Sequence, residues 1–132
     1  MAITHVTAVR NSLAAIVSTA ADAGVGAAKI QITKSAGSYT AGNILAEITL
    51  SDPAFGAPST GTITAAGLPV EDTTANNTGT AVEFRLVDSA DTEVFHGTVT
   101  ATGGGGDMEM SSTGITAGDA VRITSFTYTA SL

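Results

Sequence analysis

Thr80-Ala81-Val82-Glu83-Phe84-Arg85-Leu86-Val87-Asp88, then Ser89-Ala90-Asp91, then Thr92-Glu93-Val94-Phe95-His96-Gly97-Thr98-Val99 is the stretch that decides the fold. Apolar and polar residues alternate on both sides of a short break. That is the pattern of half-buried antiparallel strands joined by a turn. It predicts a hairpin over about residues 80–88 and 92–101, with Ser89-Ala90-Asp91 at the turn. Towards the C-terminus, Gly103 to Gly106 is too flexible to hold a strand, and Asp107-Met108-Glu109-Met110 alternates again. Ile115-Thr116-Ala117-Gly118-Asp119 reads as a turn, and Ala120 to Thr129 as a closing strand. The inward parity changes between Val121/Ile123 and Phe126/Tyr128, which predicts a bulge near Ser125 or burial of both faces.

Towards the N-terminus the same alternation recurs. Ala28 to Thr33 reads as a strand, Ser35 to Gly42 as a turn-rich loop, and Ile44 to Leu50 as a strand with Ile44, Ala46, Ile48 and Leu50 on one face. Ser51-Asp52-Pro53 ends it, because proline removes a ladder donor. Phe55 is expected to fold back onto the core. Ser59 to Ala65 reads as a weaker strand, Leu68-Pro69-Val70 as an edge piece, and Thr73 to Gly79 as an exposed loop.

The period changes before residue 25. Val6, Val9, Leu13, Ile16, Val17 and Ala20 recur at steps of three and four, which predicts a helix from about His5 to Ala23 with an apolar stripe. Thr4 is the expected N-cap and Gly24 or Gly26 the expected stop. A secretory leader fits poorly, since Arg10 and Asn11 interrupt the apolar segment and no basic cluster precedes it. The expected architecture is mainly β: an antiparallel β-sandwich or jelly-roll-like domain with an N-terminal α-helix. Residues 1–132 form one domain, with the helix in 1–25 and the β-region in 28–132.

Composition limits the partners. Lys and Arg number five against twelve Asp and Glu, for a formal charge of −7. The five cations (Arg10, Lys29, Lys34, Arg85, Arg122) are scattered, so neither nucleic acid nor an anionic membrane is an expected partner. Threonine is roughly one residue in six, which favours strands. There are no cysteines, so disulfides, thiolate metal sites and cysteine nucleophiles are excluded together.

The residues that carry chemistry are few. His96 lies on the polar parity of its strand, with no second histidine near it in sequence and no nucleophile motif. Its expected role is at a surface or interface. Asp88, Asp91 and Glu93 surround the hairpin turn. Their oxygens suit Ca²⁺ in kind, but the spacing misses the calcium-loop motif, and aspartate as a turn former is the simpler reading. Asp107 and Glu109 are expected to face water. The Gly103–Gly106 run lacks the helix and the Lys-Ser/Thr that a phosphate loop needs. Arg85 is expected to pair across strands, for example with Glu93. Asn76-Asn77-Thr78 matches a glycosylation acceptor that is common by chance. No catalytic, cofactor-binding or metal residues are therefore assigned, and an enzyme is not expected.

Four segments, Leu50-Ser51-Asp52-Pro53-Ala54-Phe55-Gly56, Phe84-Arg85-Leu86-Val87-Asp88-Ser89, Gly97-Thr98-Val99 and Ile123-Thr124-Ser125-Phe126-Thr127, carry a resemblance to small bacteriophage and prophage structural proteins. The opening Met1-Ala2-Ile3-Thr4 adds to it, and the likeness spans about two-thirds of the chain. It implies a virion component made in the host cytoplasm. Acidity favours the capsid's outer surface over a lining that meets DNA. The expected role is a capsid decoration or cement protein, a homo-oligomer (dimer or trimer) bound to the major capsid protein. A tail or head–tail connector subunit and a carbohydrate- or cell-binding β-module are the alternatives. Exposed aromatic platforms would favour the last, but there is no Trp, and Tyr39 and Tyr128 are the only tyrosines.

Overall fold

The computed structural model describes residues 3–130. Met1 and Ala2, which open the Met1–Thr4 resemblance, and Ser131 and Leu132, which close the expected β-region, lie outside the described residues. The chain is mainly β with one N-terminal helix. Strands β1 (Lys29–Thr33), β2 (Ile44–Thr49), β6 (Glu83–Val87), β7 (Glu93–Ala101) and β8 (Met108–Met110) form a sheet in the order β2-β1-β6-β7-β8. Three two-stranded ribbons accompany it: β10 (Val121–Ile123) with β4 (Val70–Asp72), β11 (Thr127–Thr129) with β3 (Thr62–Thr64), and β5 (Gly79–Thr80) with β9 (Gly114–Ile115). The sheet curls, and Asp72 of β4 accepts a hydrogen bond from the Glu47 amide of β2 at 3.1 Å.

Register places the apolar residues in rows. Ile48, Ile30, Leu86 and Phe95 lie opposite one another across four strands, and Ala46, Ile32, Phe84 and Gly97 make the next row. Strand side chains alternate faces, so each row covers one side of the sheet. Ile63 of β3, Phe55, Val121, Ile123 and Phe126 belong to the same buried cluster. The row ends in glycine for a steric reason. A Cβ on Gly97 would lie 2.8 Å from Phe84 Cε1 and 2.9 Å from Asp107 Cβ. Glycine leaves the Phe84 ring room to cross over β7.

The opposite face carries a polar ladder. Arg85 Nε donates to Gln31 Oε1 at 2.8 Å, and Gln31 Nε2 donates to Glu47 Oε2 at 2.6 Å, linking three strands. Lys29 pairs with Asp91 at 2.6 Å and Glu47 at 3.7 Å. The Arg85 guanidinium lies 4.2 Å over the Tyr39 ring, and the Tyr39 hydroxyl donates to Glu83 at 2.9 Å.

Four expectations need correction. The helix α1 runs Thr7–Ala21, and its N-cap is Val6 with no side-chain cap, so Thr4 does not cap it. Its apolar stripe, whose direction the spacing left open, faces largely outward: Val6, Val9, Leu13 and Ile16 are 67%, 43%, 37% and 64% exposed, and of the stripe only Val17 packs against the core cluster. The helix instead buries Ala14 and Ala21, while Asn11 Oδ1 accepts from the Gly61 amide at 2.7 Å and Asp22 Oδ1 from the Ala54 amide at 2.8 Å. Residues 11 and 22 fall within about 20° on a helical wheel, and the stripe lies on the other side. Two backbone amides that need acceptors choose the face.

The closing stretch is two strands with different partners, not one. β10 pairs with β4, and β11 pairs with β3 after the turn through Thr124 and Ser125. That exchange accounts for the parity change in the sequence. Gly79 and Thr80 belong to neither the expected loop nor the hairpin strand, since they form β5. Finally, Arg85 meets Gln31 and Tyr39, while Glu93 contacts His96. The register places Glu93 opposite Val87, and a bulge separates it from Arg85.

A Gly97→Ala substitution drives a methyl group into the Phe84 ring and is expected to lower stability by about 1–3 kcal/mol in urea melts. Gly42→Ala, where nothing lies within 4 Å of the new Cβ, is expected to change it by less than about 0.5 kcal/mol.

Candidate functional site

Between β7–β8 on one side and β10–β11 on the other, the curled sheet leaves an open cleft of ≈ 1020 Å³. Its apolar lining includes Phe95, Met108, Met110 and Tyr128, all half-buried, over the buried Phe84 and Phe126. All four phenylalanines and Tyr128 join in one cluster. Phe95 stacks on Tyr128 at 5.6 Å and on Phe126 at 6.2 Å; Phe84 meets Phe126 edge-on at 6.1 Å, and Phe55 lies 6.0 Å from Phe126. Offset and edge-on aromatic pairs each add about 0.5–1.5 kcal/mol beyond burial. The rim is polar, with His96, Asp107, Glu109, Asp119 and Arg122.

The glycine run builds one wall. β8 lies parallel to β7, with Val99 opposite Met108 and Ala101 opposite Met110. Parallel neighbours normally need a crossover of about a dozen residues. Here the overlap is so short that the chain retreats only about two residues' rise. Gly103 and Gly105 adopt φ of +86° and +81°, which side-chain-bearing residues rarely reach. The returning chain is then fastened. Asp107 Oδ2 accepts from the Thr98 amide at 2.9 Å and the Thr98 hydroxyl at 3.0 Å. Glu109 accepts from the Gly103 amide at 3.1 Å and the Gly105 amide at 3.2 Å. The loop does present converging amides of the kind that hold anions, and this chain fills them with its own carboxylate.

The acidic residues of the hairpin turn separate. Asp88 accepts from the Ala90 and Thr92 amides at 2.8 and 2.9 Å, which is the turn-forming role. Asp91, with φ +63°, reaches Lys29, and Glu93 lies 3.1 Å from His96 Nδ1. Among the described residues no group of three or more His, Asp or Glu could hold a metal ion. Asn77 pins its loop by donating to the carbonyls of Ala41 and Ile44 at 2.8 and 2.7 Å. His5 Nδ1 and Arg10 Nε are enclosed without a hydrogen-bond partner.

Sequence reading missed the cleft. Its signal was the Met108/Met110 pair, two adaptable apolar side chains on the same parity of a short strand, read there only as the complement of two carboxylates. The carboxylates are exposed, as expected, but they anchor the wall. Tyr39 is not an open platform, because Arg85 covers its ring. Its burial, and then its bond to Glu83, hold the phenol well above its ordinary value. The chain matches no protein-family model, no curated protein and no solved structure.

Two rim groups set a pH dependence. Hydrogen bonding to Glu93 raises His96 above 6.5, and the two Thr98 donors lower Asp107 below 3.8. A raised histidine stabilises the fold fully below its unfolded value, and that contribution is lost as pH rises through the folded value. A depressed carboxylate contributes above its unfolded value and loses this as pH falls through the folded one. Stability is therefore expected to decline on both sides of the window between 3.8 and 6.5. In denaturant melts across pH, His96→Gln should flatten the upper limb and Asp107→Asn the lower. Unchanged limbs would remove these contacts from the account.

Proposed function

We propose that this protein is a non-enzymatic phage virion structural protein: a capsid decoration or cement protein that binds the outer surface of the assembled major-capsid-protein shell and stabilises it. One observation carries the reading. The carboxylates around the hairpin turn and on the returning β8 segment are tied into internal contacts, whereas apolar surface is left partly open. Asp88, Asp91, Glu93, Asp107 and Glu109 each close a turn, an ion pair or a loop. The cleft floor of Phe95, Met108, Met110 and Tyr128 is half-open, and the outer side of α1 is uncovered. Such a molecule is equipped to adhere, not to move protons. Its fold is then read as sandwich-like, with the β10–β4 and β11–β3 ribbons as a second layer over the main sheet.

The cleft is the surface assigned to the shell. Its polar rim sets register, and its adaptable methionines fit a partner's apolar side chains. Binding the assembled shell, and not its dissociated subunits, stabilises the shell by mass action, by about 2.7 kcal/mol per site at a hundredfold excess over Kd. The −7 charge keeps the protein off DNA and suits an outward position.

Particles made without this protein are expected to release DNA at lower temperature, and adding it back should restore the wild-type release temperature. Met110→Glu, which places a charge on the cleft floor, should leave the isolated domain folded and abolish that rescue. Particles equally heat-stable with and without the protein would refute the cement role. Rings or tubes of pure protein in negative stain would favour the tail or connector subunit instead.

A further inference from the structure

The exposed stripe of α1 has a spacing that the core does not explain. Val6, Val9, Leu13, Ile16 and Ala20 are separated by three, four, three and four residues. That is the seam of a heptad, the pattern with which one helix receives another. A helix meant to lie on a sheet buries its larger side chains, yet here the body takes Ala14, Ala21 and part of Val17 and leaves Val6, Val9, Leu13 and Ile16 outside. Ile3, 74% exposed, extends the stripe beyond the helix. Together these side chains present on the order of 500 Å², the size of the largest patch on an ordinary monomer.

Charge selects the occupant. Residues 3–21 contain no Asp or Glu and a single cation, Arg10, while the chain as a whole carries twelve acidic residues. Two copies at −7 repel each other over most of their surface, and this uncharged sector is where they can meet. Ser12 and Thr19, beside the seam, are exposed and uncharged. Two helices facing each other would cover on the order of 1,000 Å² in total, the level a specific interface must reach. A free peptide of two heptads would not stay helical. Here Asn11 and Asp22 already hold the helix to the body, so pairing need not supply its folding.

We propose that α1 is the self-association element of this protein, joining copies through the Val6-Val9-Leu13-Ile16 seam. It leaves the cleft free for a different partner, and it stands whether or not that partner is a capsid.

The chain has no cysteine, so a single introduced thiol reports contacts between copies alone. Leu13 is central to the seam and meets its counterpart whether the helices run parallel or antiparallel. Under mild oxidation Leu13→Cys is expected to form a covalent dimer, and Ala36→Cys, on an exposed loop, is not. In sedimentation at concentrations on the order of 100 µM, the wild type should exceed its 13.0 kDa monomer mass. Added salt should strengthen the assembly, because it screens the repulsion between acidic copies. Val9→Gln combined with Ile16→Gln should weaken assembly at least about tenfold, with the circular dichroism of the fold retained. The proposal is overturned if the wild type stays monomeric. It is equally overturned if oligomers persist undiminished in a folded Val9/Ile16 variant, or if the wild type binds neutral phospholipid vesicles as a monomer.

Discussion

The Phe84 ring crosses over Gly97, and the two halves of the molecule meet around it. Phe84 sits on the central strand of the sheet, edge-on to Phe126, which belongs to the segment between the two C-terminal strands. Phe126 in turn contacts Phe55 from the loop after β2 and Phe95 from β7. Four distant parts of the chain are thus joined by one aromatic cluster. Close packing makes that cluster intolerant of volume changes. β7 must therefore be bare at residue 97, and Asp107, just before β8, can then approach to fasten the glycine return.

Much of the fold was legible because period and parity are local. The hairpin of β6 and β7, the individual strands β1 and β2, residues 116–119 of the expected turn over 115–119 and the inward Phe55 all follow from alternation and turn chemistry, whereas Ile115 lies in β9. The helix was legible as a helix, but not which way it faces. Hydrophobic spacing reports that a stripe exists, and the Gly61 and Ala54 amides, remote in sequence, decide which side is buried. Where Val121–Ile123 and Thr127–Thr129 part company was visible as a parity fault, but their partners β4 and β3 were not. Strand pairing across 49 to 67 residues leaves no local trace.

The cleft was hidden for a similar reason. It exists because β8 turns back parallel to β7 and so presents both methionines beside Tyr128. Read singly, Asp107-Met108-Glu109-Met110 is an amphipathic strand. Read in place, its carboxylates are ties and its thioethers are the open surface. The carboxylates that the sequence singles out, Asp88, Asp91, Glu93, Asp107 and Glu109, are each tied to the chain's own backbone or to a neighbouring cationic side chain.

The way α1 is attached bears on which part of the molecule opens first. Most of its large apolar side chains are already in water, so on the helix itself lifting it away newly wets chiefly Ala14, Ala21, part of Val17 and the enclosed Arg10 Nε, together with the body surface beneath them. Detachment forfeits a few polar anchors, whereas separating β1 from β6 would uncover Ile30, Ile32, Phe84 and Leu86. α1 therefore places less of its own large apolar surface in the core than the central strands do, and its backbone amides should trade protons with solvent before theirs.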